Sequence, residues 1–436
     1  MVKLTIKKSG INGEGIAYRN HSPVFISGAL PEETVIAEIT AEKEKYAVAQ
    51  LQKILVRSKR RVKPACRCQK ECGGCPLMTA SYDLQKEIKV QLLEEALYKY
   101  GNVRSHFIRD MRGCEKELGY RNQLKLPVHE EDGKLTTGMF SADSNRFVAV
   151  RNCPVHDPLL EKTRVSVLKV LNAHHFPAWS LKRQEGLRYL IMRIMEGKIQ
   201  CTLVTGRGTV PEEIASELAA IPAVSGVYQS VQSARKATEM FGTRPFLLAG
   251  GEDLPLTVKN IEFRLSPQSF FQLNTEQALK LYETAVSKID PCDVLVEAYC
   301  GIGAMSFLAA DKAKKIIGIE SVKDAVRNAA ETAERNGFRH LSFMHADAAE
   351  GLRKIAETEK VGCLLMDPPR SGLDDAMIEA ILAADPKKII YISCNPATLG
   401  KNLKKLKHAY HVVTVIPFDL FPQTPHIESV TVLERG

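Results

Sequence analysis

No run of about 18 apolar residues interrupts the sequence, so no membrane-spanning helix is expected. The opening MVKLTIKKSGINGEG lacks an apolar core followed by a small-residue cleavage site, and we expect a soluble, cytoplasmic chain. Two phosphate-cradling signatures are also missing. There is no G-x-x-x-x-G-K-[ST] run and no complete G-x-G-x-x-G, which argues against a P-loop nucleotidase and against a dinucleotide enzyme. Internal repeats and low-complexity tracts are absent. The 11 cysteines form an odd set, and a reducing compartment disfavours lasting disulfides, so they are read for metal binding and thiol chemistry.

What is present is ordinary globular composition, with 44% hydrophobic and 25% charged residues. At 436 residues the chain exceeds the roughly 250–300 residues that one core usually serves, so two or three domains are expected. The net charge of +9 permits an anionic partner. Part of it is concentrated between Lys53 and Lys70, where no acid appears until Glu71. Residues 1–62 hold short strand-like runs (Leu4–Ile6, Pro23–Ile26, Val35–Ile39 and Tyr46–Val56) punctuated by glycine, the rhythm of a small five-stranded OB-like barrel. The basic run after it favours RNA or phosphate contact over a solvated linker. A helix is expected over Leu84–Tyr100, and a mixed or antiparallel sheet domain through the middle of the chain. From about residue 265, short apolar strands alternate with helical stretches, which marks a mostly parallel α/β sheet. Ser321 and Asp324 resemble a capping box at the start of a helix over Val322–Asn336, and Gly337 supplies its stop.

Three constellations carry chemistry. In CRCQKECGGCP, Cys66 or Cys68 joins Cys72 and Cys75, with Cys153 following much later in RNCPVHD. Four thiolates suit tetrahedral zinc or an iron-sulfur cluster, and one three-cysteine loop joined to a distant fourth cysteine favours the cluster. In VLVEAYCGIGAMSF, an acid near a strand end precedes Gly301 and Gly303 before a helix. GIE then sets Glu320 at the end of the next strand, where a carboxylate can accept ribose hydroxyls. A nucleoside without a pyrophosphate, such as S-adenosylmethionine, fits that crevice. Asp347 is read as an adenine contact or a helix cap. Finally, MDPPRSG, YISCNPATLG and FPQTPHIES place Asp367, Cys394, His426 and Glu428 at strand ends or in a Pro-fixed loop. There a thiolate can add to an electron-poor carbon and a carboxylate can later remove a proton from the adduct. Cys394 as an inert thiol is the bland alternative, and His426 reads as a loop organiser.

Through these motifs the chain resembles the iron-sulfur-containing RNA 5-methyluridine methyltransferases, the group related to 23S rRNA and tRNA uracil-C5 methyltransferases. Besides the motifs above, NGEGIAY, VFISGALPEE, GYRNQLKLPV and SPQSFFQLN carry the likeness. It implies a multidomain fold: a TRAM-like RNA-binding β-barrel (1–62), a central α+β domain with the iron-sulfur loop (63–262), and a Rossmann-like α/β S-adenosylmethionine-dependent methyltransferase domain (263–436). Part of 84–121 is expected to pack on the catalytic domain. The resemblance implies Cys66, Cys72, Cys75 and Cys153 as [4Fe-4S] ligands, Cys394 as the nucleophile at uracil C6 and Glu428 as the base for the C5 proton. Gln272, Tyr299, Glu320, Asp347 and Asp367 are expected in the cofactor pocket, and Phe271, Gln272 and Asp367 against the target base.

The implied partner is RNA with a flipped uridine, 23S rRNA ahead of tRNA, with no membrane or obligate protein partner. A cluster-dependent redox enzyme and a nonenzymatic RNA-binding protein are the rival classes. Three departures stand out: Glu297 where the family has aspartate, the extra Cys68, and the segment SVQSARKATEMFGTR.

Overall fold

The computed structural model describes residues 1–142, 144, 146–235, 239–251 and 253–436. Residues 236–238 of the SVQSARKATEMFGTR segment lie outside the described residues. The chain divides into two compact units. One comprises Met1–Lys70, Gly74–Glu117 and Gln277–Gly436, and the other Glu71–Gly73 and Leu118–Glu276. No described helix is long and apolar enough to cross a membrane.

The first unit opens with a six-stranded sheet rather than five strands. The additions to the expected set are Gly15–Arg19 and the two-residue Lys8–Ser9, which pair antiparallel. Alternation along Thr34–Glu42 and its neighbours sends Val35, Ala37, Val24, Ile26 and Ala49 into a small apolar core. A 20-residue helix, Tyr82–Gly101, follows, begun by a Ser81 cap and stopped at Asn102 in the left-handed conformation. Leu84 and Ile88 pack with Leu30 of the barrel, whereas Leu93 and Leu97 enter the core of the C-terminal sheet. One helix thus ties both layers of this unit together.

The C-terminal sheet has seven strands. From one edge they run Leu341–His345, Ala313–Glu320, Cys292–Ala298, Cys363–Met366, Lys388–Ser393, Glu428–Arg435 and Tyr410–Phe418. The first five are mutually parallel, and the apolar runs of the inner four are buried, as a sheet covered by helices requires, while the edge strand Leu341–His345 buries only Leu341. Glu428–Arg435 is antiparallel to both of its neighbours. The earliest strand of the set, Cys292–Ala298, lies inside the sheet between Ala313–Glu320 and Cys363–Met366. The connection from it runs to one side, to Ala313–Glu320, and that from its neighbour Cys363–Met366 to the other, to Lys388–Ser393, so a crevice opens at their carboxyl ends.

The expected capping box does not form. Val322, whose side chain has no polar atom, occupies the cap position of Lys323–Arg335, and Glu320 Oε1 accepts the Val322 N–H at 2.8 Å and the Ser321 hydroxyl at 3.2 Å. The second unit is a seven-stranded mixed sheet with helices Pro158–Ala173 and Glu212–Ala219. Its core includes Leu124, Leu190, Leu203 and Val227.

Candidate active site

The crevice begins at the turn after Cys292–Ala298. Tyr299, Gly301 and Gly303 all have left-handed backbones, with φ of 62°, 56° and 78°. A Cβ on Gly303 would lie 2.6 Å from Phe343, so that position requires glycine on two counts, whereas Gly301 fronts open space. Glu320 staples this turn, its Oε2 accepting the Gly301 N–H at 3.0 Å. Each carboxylate oxygen accepts more than one bond, so Glu320 retains capacity for a ligand hydroxyl. Asp347 is exposed and caps the helix Ala348–Ala356, accepting from Ala349 at 2.9 Å and Glu350 at 3.2 Å. Beneath the turn, Glu297 is 1% exposed; Oε2 accepts the Ser306 hydroxyl, and Oε1 has no partner among the described residues. Burial pushes its carboxyl up to about 8, so it is mostly protonated at neutral pH. An open crevice edged by backbone turns and acids, without an anion cradle, fits a nucleoside.

The rim beside the crevice is set by strand register. Ser393 pairs with Ser429 across the antiparallel ladder. Continued by one step, that register sets Cys394 opposite Glu428. Cys394 is the last residue before Asn395, whose side chain caps Pro396–Leu406 through the Ala397 N–H at 3.1 Å, and Pro396 suits the first turn. Asn395 Nδ2 and the Thr398 hydroxyl also donate to the Arg370 carbonyl, at 3.1 and 3.3 Å, joining this loop to the one that carries Asp367.

The electrostatics tie the group together. Burial, then Glu428 and Asp367, push the Cys394 thiol up to about 11, and Arg370 opposes them. Burial and Asp367 hold the Glu428 carboxyl well above the usual carboxylate range, again against Arg370. Tyr391, which the sequence reading passed over, is 1% exposed and donates its phenol to Asn402 at 3.0 Å beneath this rim.

Phe271 and Gln272 belong to the second unit. Phe271 is buried, and the Gln272 carbonyl accepts the Asn122 amide at 2.8 Å. Of the cysteines expected to hold a cluster, Cys66 and Cys75 fall in the first unit and Cys72 and Cys153 in the second, each half-buried, as is Cys68. Among the described residues no group of three or more His, Cys, Asp or Glu side chains is brought within metal-holding reach, so the ligand set rests on the resemblance to the family. Half-buried thiols suit a soft metal centre.

The basic run is divided in role. Arg61 binds buried Glu33 at 2.6 and 2.8 Å, and Arg60 pairs with Glu32 and Glu87. Lys53, Arg57, Lys59, Lys63, Arg67 and Lys70 are exposed. Sequence reading missed a second basic feature, a groove of about 780 Å³ whose lining includes Lys99, Tyr100, Lys401, Lys404, Lys407 and His408. Lys99 and Lys401 both lie over the Tyr100 ring. Only their approach through folding brings residues near 100 beside residues near 400.

A parallel sheet with a nucleoside crevice and a cysteine on its rim is the architecture of a Rossmann-like methyltransferase. The chain belongs to the tRNA (uracil-5-)-methyltransferase family, whose model matches residues 81–436, and a TRAM domain matches residues 1–51. It is 35% identical over 443 residues to an uncharacterized RNA methyltransferase of Bacillus cereus, covering 99% of this chain and 96% of that protein. One of Streptococcus agalactiae is 32% identical over 442 residues, covering 100% and 98%. Among solved structures, the Pyrococcus abyssi tRNA (uracil-54, C5)-methyltransferase in complex with S-adenosyl-L-homocysteine aligns with a TM-score of 0.79 at 24% identity. That alignment covers 99% of this chain and 100% of that one.

Proposed function

We propose that the protein transfers a methyl group from S-adenosylmethionine to C5 of a uridine in RNA through a covalent Cys394 adduct, with Glu428 as the base. The observation that carries this reading is the ladder register that sets Cys394 opposite Glu428 beside Asp367 and Arg370. S-adenosylmethionine, held by Tyr299, Glu320, Asp347 and the Gly301 turn, supplies a sulfonium methyl and leaves as S-adenosylhomocysteine. Cys394 must first lose its proton, a step that Arg370 and the start of Pro396–Leu406 favour by their positive charge.

Addition of the thiolate to C6 moves an electron pair toward C5 and O4, and C5 takes the methyl. Glu428 then accepts the C5 proton, the C5=C6 bond re-forms and Cys394 leaves as thiolate. Asp367, Gln272 and Phe271 are read as contacts to the target base. Unstacking that base costs a few kcal/mol, which phosphate contacts at the barrel and lysine groove would offset.

Cys66, Cys72, Cys75 and Cys153 are read as the ligands of a [4Fe-4S] cluster with a structural role, since the reaction moves no net electrons. The preferred target is 23S rRNA, from the resemblance of barrel and cluster motif to the rRNA branch. A tRNA target is the second reading, supported by the name of the matched family. Mapping 5-methyluridine in rRNA and tRNA from cells with and without the gene decides between them. In vitro, Cys394→Ala should abolish both labelled-methyl transfer and the RNA–protein adduct. Glu428→Gln should transfer methyl once and trap the adduct; near-normal turnover by that variant would reject the assignment of the base.

A further inference from the structure

Residues 419–427 connect the strand ending at Phe418 to the one beginning at Glu428. A helix remote in sequence holds this connection through three side chains, Tyr82, Gln85 and Lys89, whose spacing puts them on one face of Tyr82–Gly101. Lys89 Nζ donates to Asp419 Oδ1 at 2.5 Å and to the Phe421 carbonyl at 3.0 Å, and both charged side chains are wholly buried. Asp419 Oδ1 also accepts the Phe421 N–H at 3.1 Å, which shapes the first turn of the connection. Gln85 Nε2 donates to Gln423 Oε1 at 3.0 Å, and Gln85 Oε1 accepts the Gln423 N–H at 2.8 Å.

Gln423 has a left-handed backbone, φ 75°, and its carbonyl accepts the Leu77 N–H at 3.0 Å. Its side-chain amide donates to the Glu117 carbonyl at 3.2 Å. The Tyr82 phenol accepts the Cys114 N–H at 2.6 Å. Burial and then the adjacent Asp419 charge raise its pKa, so it stays protonated.

A buried ion pair is a poor way to gain stability. Desolvation offsets most of its attraction, and well-packed apolar replacements are often neutral or stabilising. What such a pair does supply is direction, because each partner tolerates few placements of the other. Apart from the Tyr82 bond to Cys114, these bonds converge on the segment immediately before Glu428, which is 4% exposed and sits opposite Phe418 at the ladder end. Proton removal is sensitive to small displacements: an error of about 1 Å in a reacting group can cost on the order of 100-fold in rate.

We propose that Tyr82, Gln85 and Lys89 form a positioning device for Glu428, fixing the 419–427 connection so that the carboxylate meets the C5 proton of the adduct. This rests on the Cys394 and Glu428 chemistry above. The three residues touch no reacting atom in that scheme and act through Asp419 and Gln423.

Two variants test it. Lys89→Met combined with Asp419→Leu replaces the ion pair by apolar groups, and Gln85→Leu removes both bonds to Gln423 while keeping the pair. Folding is checked by circular dichroism and melting, and if the double variant does not fold, Gln85→Leu decides alone. Single-turnover methyl transfer to RNA should stay within about twofold of wild type, and KM for RNA should not change. Release of methylated RNA should slow by about tenfold or more, so that adduct accumulates as in Glu428→Gln. Release at the wild-type rate in a folded variant overturns the proposal, and so does an equal slowing of methyl transfer and release. If Glu428→Gln itself trapped no adduct, the underlying reading would fall and this proposal with it.

Discussion

Replacing Glu297 by glutamine should change how the stability of the protein depends on pH. The carboxyl is 1% exposed, and burial moves its pKa from 4.5 to about 8, with Asp367 and Glu320 adding to the rise and Ser306 working against it. Between those two values the unfolded chain has lost this proton while the folded chain keeps it. The folded state therefore loses stability as pH climbs, by ~1.4 kcal/mol per unit and on the order of 5 kcal/mol across the whole window. Below 4.5 the contribution is fully present, and above about 8 nothing further is lost.

Glutamine stays neutral throughout and can still accept the Ser306 hydroxyl. The two proteins should therefore melt within ~1 kcal/mol of each other near pH 5, and Glu297→Gln should be several kcal/mol more stable near pH 8.5. For a unit of this size that is on the order of 10 °C in melting temperature. Melting curves of both proteins at pH 5 to 9 read the difference directly, because every other titrating group is shared. Parallel curves would refute the reasoning and show that the buried carboxyl ionises in the ordinary range.

Two further outcomes concern the reaction and its RNA. With the Cys394 thiol pushed up to about 11, adduct formation measured in single turnover should rise about tenfold per pH unit from pH 6 to 9. Arg370→Gln, which removes the cation that opposes this shift, should lower the rate across that range; a flat profile would show that the nucleophile is already ionised. Reversing charge in the groove with Lys401→Glu and Lys404→Glu should raise KM for RNA with kcat nearly unchanged. It should also reduce the slope of log affinity against log salt by roughly 1 for each phosphate that the groove no longer neutralises; an unaltered slope would mark the groove as a solvated face.

The parts of the fold that depend on local pattern were legible in the sequence. Apolar strands such as Cys363–Met366 and Lys388–Ser393, and the helix Tyr82–Gly101, announce themselves through run length and spacing. Gly15–Arg19 did not, since GIAYR has a single β-branched residue and is held by its partner Ser22–Ser27. The rim residues were recognisable as types at strand ends, yet nothing local says that Cys394 faces Glu428. The supposed cap at Ser321 failed because a carboxylate one residue earlier engages the Ser321 hydroxyl and the helix begins one residue later, with Val322 at its cap. In the basic run, Arg60 and Arg61 read like their neighbours, and only folding brings Glu32, Glu33 and Glu87 to them. The groove and the Lys89–Asp419 pair escaped notice for the same reason, as each joins segments from opposite ends of the first unit.

The antiparallel strand explains why this site can be built from so few residues. A parallel neighbour of Lys388–Ser393 would bring its own carboxyl end to the rim, and any base would ride on the loop leaving it. Glu428–Arg435 instead begins at the rim, so its first residue lies one ladder step beyond the Ser393 and Ser429 pair, and the ladder fixes where Glu428 stands relative to the end of Lys388–Ser393. Because side chains alternate with a period of two, a slip of one residue would turn Glu428 to the opposite face of the sheet. The connection before that strand therefore cannot be allowed to drift, which is the physical reason for locking it with a buried lysine, an aspartate and two paired glutamines rather than with apolar packing alone.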